Sequence, residues 1–231
     1  MITPDLLVSW PRNCDYPLWR KFIRENRARF NEVIIVFTET SSGDNFWDFV
    51  RQSMIPDGVT CLYSPNPGSG QDWRDVAMHH ALAHVRSEWI WFTEQDFYPL
   101  GGFWEDVEWG RDSGNEVIAA FEGDRMHPCS IFIKRELLNR TTKNFGIVPG
   151  KSDHFGALQR DLEVLKKDVW TINPTTYKHY NGLSQNFYLG YLGQTPNYKL
   201  DEFQDYLRQC LDSGIELDPR FITVANRVLK L

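Results

Sequence analysis

Short apolar runs alternate with amphipathic stretches along the first half of the chain. The runs that predict strands cover residues 6–9, 33–37, 59–63 and 89–92, with two more at 116–121 and 130–133. Helical spacing of apolar positions separates the first four runs, at residues 17–30, 46–52 and 72–85. Because a strand that is apolar on both faces belongs in the middle of a covered sheet, this order predicts an α/β fold with a mostly parallel central sheet and helices on both faces.

Three further helical patterns follow the predicted sheet, at residues 155–167, 200–211 and 221–229. No internal repeat or low-complexity segment divides the chain, and 231 residues suit one domain with a small extension. We therefore expect a main α/β domain over residues 1–199 and a helical C-terminal extension over residues 200–231 that packs on it.

Two acids directly follow the most apolar predicted strand. The segment WIWFTEQDF ends in Glu94 and Asp96 before its last aromatic residue, and no Lys or Arg follows until Arg111. In open α/β sheets, ligands bind beyond the carboxyl ends of the strands, so both acids should face a cleft. A pair of carboxylates there indicates a site for a hard divalent cation, whereas the alternative is an acidic turn exposed to solvent.

Composition and charge narrow the range of partners. The aromatic share of 14%, with nine Trp, is high, and large aromatic rings suit both cores and sugar or nucleobase sites. A formal net charge of −6 argues against broad binding to nucleic acid, which needs a basic face. The four cysteines are widely spaced, no signal peptide is visible, and no apolar stretch approaches a membrane span. We therefore expect reduced thiols and a soluble protein in the cytoplasm.

Three linked segments of the first half carry a further pattern. They are VSWPRN, VIIVFTETSSGD and GSGQDWRDVAMHHALAHVRSEWIWFTEQDFYP. In order and spacing they resemble the strand, acidic-loop and DxD segments of family-2-like glycosyltransferases of the GT-A fold, over roughly residues 6–100. The resemblance implies a GT-A-like glycosyltransferase that moves a sugar from a nucleotide-diphosphate donor, such as a UDP-sugar, to an acceptor hydroxyl. It further implies that the transfer inverts the configuration at the anomeric carbon and that the enzyme requires Mn²⁺ or Mg²⁺.

The resemblance also implies roles for individual residues. Asp96 matches the DxD position that holds the metal ion, although Glu-Gln-Asp stands here in place of Asp-x-Asp. His179, in the polar segment YKHYNGLS, resembles the C-terminal histidine that completes many such metal sites. The residues implied for nucleotide binding are Trp10, whose ring could stack on a nucleobase, Glu39, Arg74 and Glu94.

Asp153 is the candidate for the base that removes the acceptor's hydroxyl proton. It lies in GKSDHFGALQRDLE, which resembles the family's acidic region near the acceptor. Asp153 also precedes a helical pattern, so an N-cap that satisfies free backbone N–H groups is an equally good interpretation.

His80 and His84 are spaced as in a zinc protease, but the segment HALAH lacks the glutamate that such a motif uses as a base. Their spacing relative to Ala77 and Ala81 favours core histidines instead.

Two other functions remain open on the same fold. A nucleotidyltransferase that forms an activated sugar would need a glycine-rich basic loop after the first strand, and WPRNCDYP has no glycine. A non-catalytic nucleotide- or carbohydrate-binding relative is compatible with a glutamate at position 94.

The acceptor is expected to be a glycan or a small molecule. A hydroxymethylated DNA base ranks below both, because it would have to be flipped out of the duplex to reach the cleft. One group of basic residues has three open interpretations: a solvated helix face, a membrane-surface contact or part of a polynucleotide track. These residues are Arg20, Lys21, Arg24, Arg27 and Arg29.

Overall fold

The structure, a computed structural model, describes residues 2–11, 14–38, 46–64, 73–146, 148, 155–180 and 182–231. Of Trp73, Arg74, Ser184 and Tyr188 it describes only the backbone. The strands in the described ranges are β1 (Asp5–Pro11), β2 (Val33–Thr38), β3 (Thr60–Ser64), β4 (Trp89–Glu94), β5 (Phe97–Pro99), β6 (Val117–Glu122), β7 (Arg125–Lys134), β8 (Trp170–Thr171) and β9 (Tyr177–His179).

Within the described part of the chain, the main sheet has seven strands in the order β3-β2-β1-β4-β7-β6-β8. β1 pairs in parallel with β2 and β4, and β2 pairs in parallel with β3, while β7 runs antiparallel between β4 and β6. The mostly parallel sheet predicted from the alternating runs is therefore confirmed. In this register Ser9 lies beside Glu94 and Pro11 beside Thr38, so three neighbouring strands end at the same edge.

Helices cover both faces of this sheet, as predicted. Short 3₁₀ turns follow the first two helices and precede β9, at Arg27–Arg29, Ile55–Asp57 and Pro174–Thr176. The helices of the described residues are α1 (Pro17–Asn26), α2 (Trp47–Met54), α3 (Trp73–Leu82), α4 (Phe103–Asp112), α5 (Arg135–Leu138), α6 (Gly156–Val164), α7 (Leu183–Tyr191), α8 (Leu200–Leu211) and α9 (Pro219–Leu229).

β4 separates two hydrophobic cores. Trp91 faces one of them, where its ring stacks on Phe132 with 4.8 Å between centroids. Ile90 and Phe92 face the other core, together with Ala77 of α3. Because alternate residues of a strand point to opposite faces, a strand that serves two cores is apolar at every position. This explains the unbroken apolar run in the sequence.

The C-terminal helices belong to the first of these cores. Phe203 and Leu207 of α8 and Phe221 of α9 are buried in the same cluster as Leu6 of β1. α8 spans the predicted residues, and the helical C-terminal segment is present as expected. Among the described residues, no helix combines the length and the apolarity that crossing a bilayer requires.

The charged residues of α1 do not form the open basic strip considered from the sequence. Arg20 is fully buried and paired with Asp15. Arg24 approaches Asp57 to 3.1 Å, and Arg27 donates to the backbone carbonyl of the same residue. Arg27 lies in the 3₁₀ turn that follows α1, and all three cations are engaged with neighbouring segments of the chain.

His80 and His84 are exposed, so the prediction that they belong to the core is wrong. α3 instead buries Ala77, Met78 and Ala81. His80 precedes Ala81 by one position, which rotates its side chain by about 100° around the helix and away from the buried face.

Candidate functional site

The end of β4 is joined to the C-terminal half of the chain by a small ribbon. After Glu94 the chain turns at residues 95–96 and continues as β5, which pairs antiparallel with β9. In this ribbon Phe97 lies opposite His179, and the N–H of Tyr180 donates to the carbonyl of Asp96 at 2.8 Å. The ribbon therefore brings His179 to Asp96, although 82 positions separate them in the sequence.

Glu94, Asp96 and His179 form one cluster of possible metal ligands. Nε2 of His179 lies 3.4 Å from Oδ1 of Asp96, and one ligand atom from each of the three residues lies within 4.8 Å of the other two. The side chains of Asp96 and His179 are 13% and 15% exposed, so the cluster is sheltered yet accessible. Two carboxylates and one imidazole are a ligand set that suits Mn²⁺ or Mg²⁺, which prefer oxygen ligands.

The acids set the protonation of His179. Burial disfavours its charged form, but the carboxylate of Asp96 outweighs burial and raises the pKa of His179 above its ordinary value of 6.5, with a smaller contribution from Glu94. A proton and a cation compete for the same nitrogen lone pair, so the field that favours the imidazolium also favours a bound divalent cation.

His127 and Cys129 adjoin this cluster, and neither was among the residues predicted from the sequence. The rings of His127 and His179 lie 4.6 Å apart between centroids, and Cys129 forms a second group of possible ligands with these two histidines. Burial, and then the neighbouring His179, lower the pKa of His127 to about 4. β7 begins at Arg125 and not at position 130, where the apolar run begins, so no local pattern in the sequence marks residues 127 and 129 as part of a strand. A longer strand here carries residues 127 and 129 to the end of β4.

Trp10 lies in the core and not at the surface of the cleft. Its side chain is fully buried, its ring meets Tyr16 edge-on with 5.2 Å between centroids, and its indole N–H donates to the carbonyl of Cys14 at 3.0 Å. In this arrangement the ring has no free face for a nucleobase, so the base-stacking role expected from the sequence is not supported. Trp10 packs the end of β1 instead.

Three of the predicted site residues cannot be placed by their side chains. Glu39 and Asp153 lie outside the described residues. Arg74 lies in the first turn of α3, where only its backbone is described. Thr38, which precedes Glu39, is buried at the end of β2 next to β1. The roles suggested for Glu39, Arg74 and Asp153 stay predictions.

No protein-family model and no curated protein matches the sequence. Among solved structures, the mannosyltransferase PcManGT from Pyrobaculum calidifontis, in complex with GDP-Man and Mn²⁺, is similar with a TM-score of 0.52 and 15% identity, over 99% of this chain and 72% of its own. Glucosyl-3-phosphoglycerate synthase from Mycobacterium tuberculosis, in complex with Mn²⁺, UDP and glucosyl-3-phosphoglycerate, is similar with a TM-score of 0.55 and 15% identity, over 90% of this chain and 77% of its own. The chain therefore has the GT-A-type fold of these glycosyltransferases, as the sequence predicted.

Proposed function

We propose that this protein is a glycosyltransferase that moves a sugar from a nucleotide-diphosphate donor to an acceptor hydroxyl in a metal-dependent reaction. One observation carries the proposal: Glu94, Asp96 and His179 meet at the carboxyl end of β4. Ligands bind at this edge in open α/β sheets. The same fold binds GDP-Man with Mn²⁺ in the Pyrobaculum mannosyltransferase.

The ligand set of this cluster fits a hard divalent cation. Asp96 and His179 would hold the ion directly, and Glu94 would either join them or accept a hydrogen bond from the ribose of the nucleotide. When bound, Mn²⁺ or Mg²⁺ supplies the positive charge that stabilises a leaving diphosphate. Burial of Glu94 beside Ser9 of β1 keeps its carboxylate at the sheet edge, where the nucleotide would lie.

The remaining roles follow from the sequence resemblance. Glu39 and Arg74 would contact the nucleotide, which we propose to be a uridine nucleotide. Asp153 would remove the acceptor proton, as an inverting transfer requires. The acceptor is a glycan or a small molecule. A hydroxymethylated DNA base ranks lower still, because Arg20 is buried in an ion pair and does not contribute to a basic track.

The test is a calorimetric titration of UDP, with and without Mn²⁺, on variants of the two acids. Asp96→Ala should abolish the metal dependence of nucleotide binding, because it removes the carboxylate next to His179. Glu94→Asp should keep it, because the shorter side chain restores the Asp-x-Asp pattern. Asp112→Ala, which removes an acid that is 65% exposed at the end of α4, is the matched control and should bind as the wild type does.

Unchanged metal dependence in Asp96→Ala would show that the metal assignment is wrong. Hydrolysis of UDP-glucose in the presence of Mn²⁺ then separates an enzyme from a non-catalytic nucleotide-binding relative. A protein that binds the nucleotide with Mn²⁺ but neither hydrolyses nor transfers any donor would contradict the proposed activity.

A further inference from the structure

A second group of metal-binding side chains adjoins the first and shares His179 with it. His127, Cys129 and His179 each place one ligand atom within 4.8 Å of the other two. The ligand atoms of a tetrahedral zinc ion lie about 3.3–3.7 Å apart, given Zn–N and Zn–S bonds of about 2.0 and 2.3 Å. Small side-chain rotations would therefore bring the three atoms onto one ion.

β4 and one hydrogen bond position this second group. β7 is irregular here, since its pairing with β6 shifts between Ile131, opposite Ala119, and Met126, opposite Phe121. The backbone N–H of Cys129 donates to Nδ1 of His127 at 3.1 Å, which holds these two residues together. The hydroxyl of Thr93 in β4 donates to the carbonyl of Cys129 at 2.7 Å, which holds the thiol beside the end of β4. Cys129 is buried, whereas the side chains of His127 and His179 are 12% and 15% exposed. A cation would thus enter past the two imidazoles.

The surroundings of His127 indicate which of its nitrogens would bind a cation. Its Nδ1 accepts the backbone N–H of Cys129 at 3.1 Å, so the proton of the neutral ring is on Nε2. Nε2 lies 4.0 Å from a carboxylate oxygen of Glu122. Ligation through Nδ1 would replace its hydrogen bond from Cys129 and leave Nε2–H on the side of that carboxylate, and metal-bound histidines commonly donate their other N–H to such a group.

We propose that His127, Cys129 and His179 form a cation position of their own, which takes Zn²⁺ and excludes the cation held by Asp96 and His179. Thiolate and imidazole ligands select zinc, whereas the carboxylates of the first cluster suit Mn²⁺ or Mg²⁺. On binding, the Cys129 thiol releases its proton to solvent and a sulfur–zinc bond forms. A neutral imidazole offers one lone pair, so His179 serves one cation at a time.

The cation position itself is independent of the proposed function. Only one consequence rests on that function, namely that Zn²⁺ would inhibit sugar transfer by excluding the cation that the transfer needs. Cd²⁺ is the probe for the position, because a thiolate bound to Cd²⁺ gives a charge-transfer absorption in the ultraviolet that needs no nucleotide and no activity. The wild type should show this absorption at one equivalent of Cd²⁺, and Cys129→Ser should lose it. Cys61→Ser is the matched control, since it removes a partly exposed thiol on β3, and it should keep the absorption.

A second variant guards against a folding defect, because Cys129 is buried. His127→Asn keeps the thiol and removes one ligand, so its Zn²⁺ affinity should fall by at least the 10–100-fold that loss of an outer-shell partner costs. Its far-ultraviolet circular dichroism should match that of the wild type. An absorption that is absent from the wild type, or equally strong in Cys129→Ser, would overturn the proposal.

The exclusion of the first cation by Zn²⁺ is tested by monitoring bound Mn²⁺ with electron paramagnetic resonance. Zn²⁺ should release bound Mn²⁺ from the wild type, and His127→Asn should require at least tenfold more Zn²⁺ for the same release. Equal Zn²⁺ sensitivity of the two proteins would overturn the exclusion. If UDP fails to bind with Mn²⁺ while the Cd²⁺ absorption behaves as expected, the proposed function falls and the second cation position stands.

Discussion

Asp5 is a fully buried carboxylate at the start of β1 that joins three segments of the chain. It accepts hydrogen bonds from the backbone N–H of Ser87 at 2.7 Å and of Glu32 at 3.1 Å, and from the side-chain amide of Asn31 at 2.8 Å. Burial works to raise its pKa, but the N–H and the hydroxyl of Ser87, the amide of Asn31 and the N–H of Arg86 together outweigh burial and lower the pKa below 3.8. The ionised form is thus the one that the fold stabilises.

Asp5→Asn should lower the free energy of unfolding by about 3 kcal/mol near neutral pH, because an amide cannot accept all of these hydrogen bonds and hydrogen bonds to charged groups contribute about 1.5–3 kcal/mol each. The stability that the lowered pKa provides is complete above the unfolded pKa near 3.8 and is lost as the pH falls through the folded pKa. Urea unfolding of both proteins across this range should show their difference shrinking in acid.

Glu25→Gln is the control for this pH series, because its side chain is 56% exposed and lies 3.9 Å from Lys21. It should change the stability by less than about 0.5 kcal/mol, as surface substitutions usually do. A difference between Asp5→Asn and the wild type that stays constant into acid would show that the charge of Asp5 is not what stabilises the fold.

At the residue scale, the sequence predicted the members of the first cluster but not those of the second. Glu94 and Asp96 follow an unbroken apolar strand, which marks them without any knowledge of distant contacts. His179 could be named only through the resemblance, and His127 and Cys129 carried no local signal, because their approach depends on the pairing of β7 with β4. Trp10 was misplaced because an aromatic residue at a strand end suits a ligand or the core equally well.

α1 carries a buried ion pair whose arginine also contacts the C-terminal part of the chain. The guanidinium of Arg20 donates to both carboxylate oxygens of Asp15, each at 2.8 Å, and to the carbonyl of Glu216 at 2.7 Å. Both charged side chains are fully buried. Glu216 lies just before α9, so Arg20 connects the first helix to the segment that leads into the last one.

Arg20→Met should lower the free energy of unfolding by about 3–5 kcal/mol, because it leaves the carboxylate of Asp15 buried without its partner. The double variant Asp15→Asn/Arg20→Met should lose less than the sum of the two single variants, since the amide removes the unpaired charge. Lys21→Met is the matched control on the same helix. Lys21 is 35% exposed, lies 3.9 Å from Glu25 and donates to the carbonyl of Ser213 at 3.2 Å, so it also contacts the C-terminal segment but without a buried charge, and its loss should cost less than about 1 kcal/mol.

Additive losses in the double variant, as measured by chemical unfolding, would contradict a coupled pair. They would show instead that Arg20 stabilises the protein mainly through its hydrogen bond to the carbonyl of Glu216. That hydrogen bond is lost in Arg20→Met and in the double variant alike.

Elements with a strong local pattern were predicted well, and those defined by distant partners were not. α8 was placed correctly because its apolar positions recur with a clear helical period. β8 and β9 have two and three residues, too few to show a period, and they exist through pairing with β6 and β5. The short ribbon that brings His179 to Asp96 is therefore an element that sequence periodicity could not reveal.

At the scale of the whole molecule, the candidate site depends on both halves of the chain. β1 and β4 supply the sheet edge, and β9 supplies His179 from beyond the main sheet. The fold follows from the local alternation of strands and helices, and could be predicted for that reason. The site requires the C-terminal part to be docked on the sheet, so a ligand that bridges Asp96 and His179 should stabilise the complete fold.

Mn²⁺ and the correct nucleoside diphosphate should together raise the melting temperature by more than the sum of their separate effects, because each ligand should increase the affinity for the other. At a ligand concentration of about 100 times Kd, mass action contributes about 2.7 kcal/mol, which corresponds to roughly 5–10 °C for a chain of this size. Thermal unfolding with UDP, GDP and dTDP, each with and without Mn²⁺, would identify the nucleotide by the largest joint shift, which we expect from UDP. Asp96→Ala should show no joint effect, and Asp112→Ala should show the full effect. If no nucleotide at millimolar concentration shifts the wild-type transition, this edge of the sheet is not a donor site.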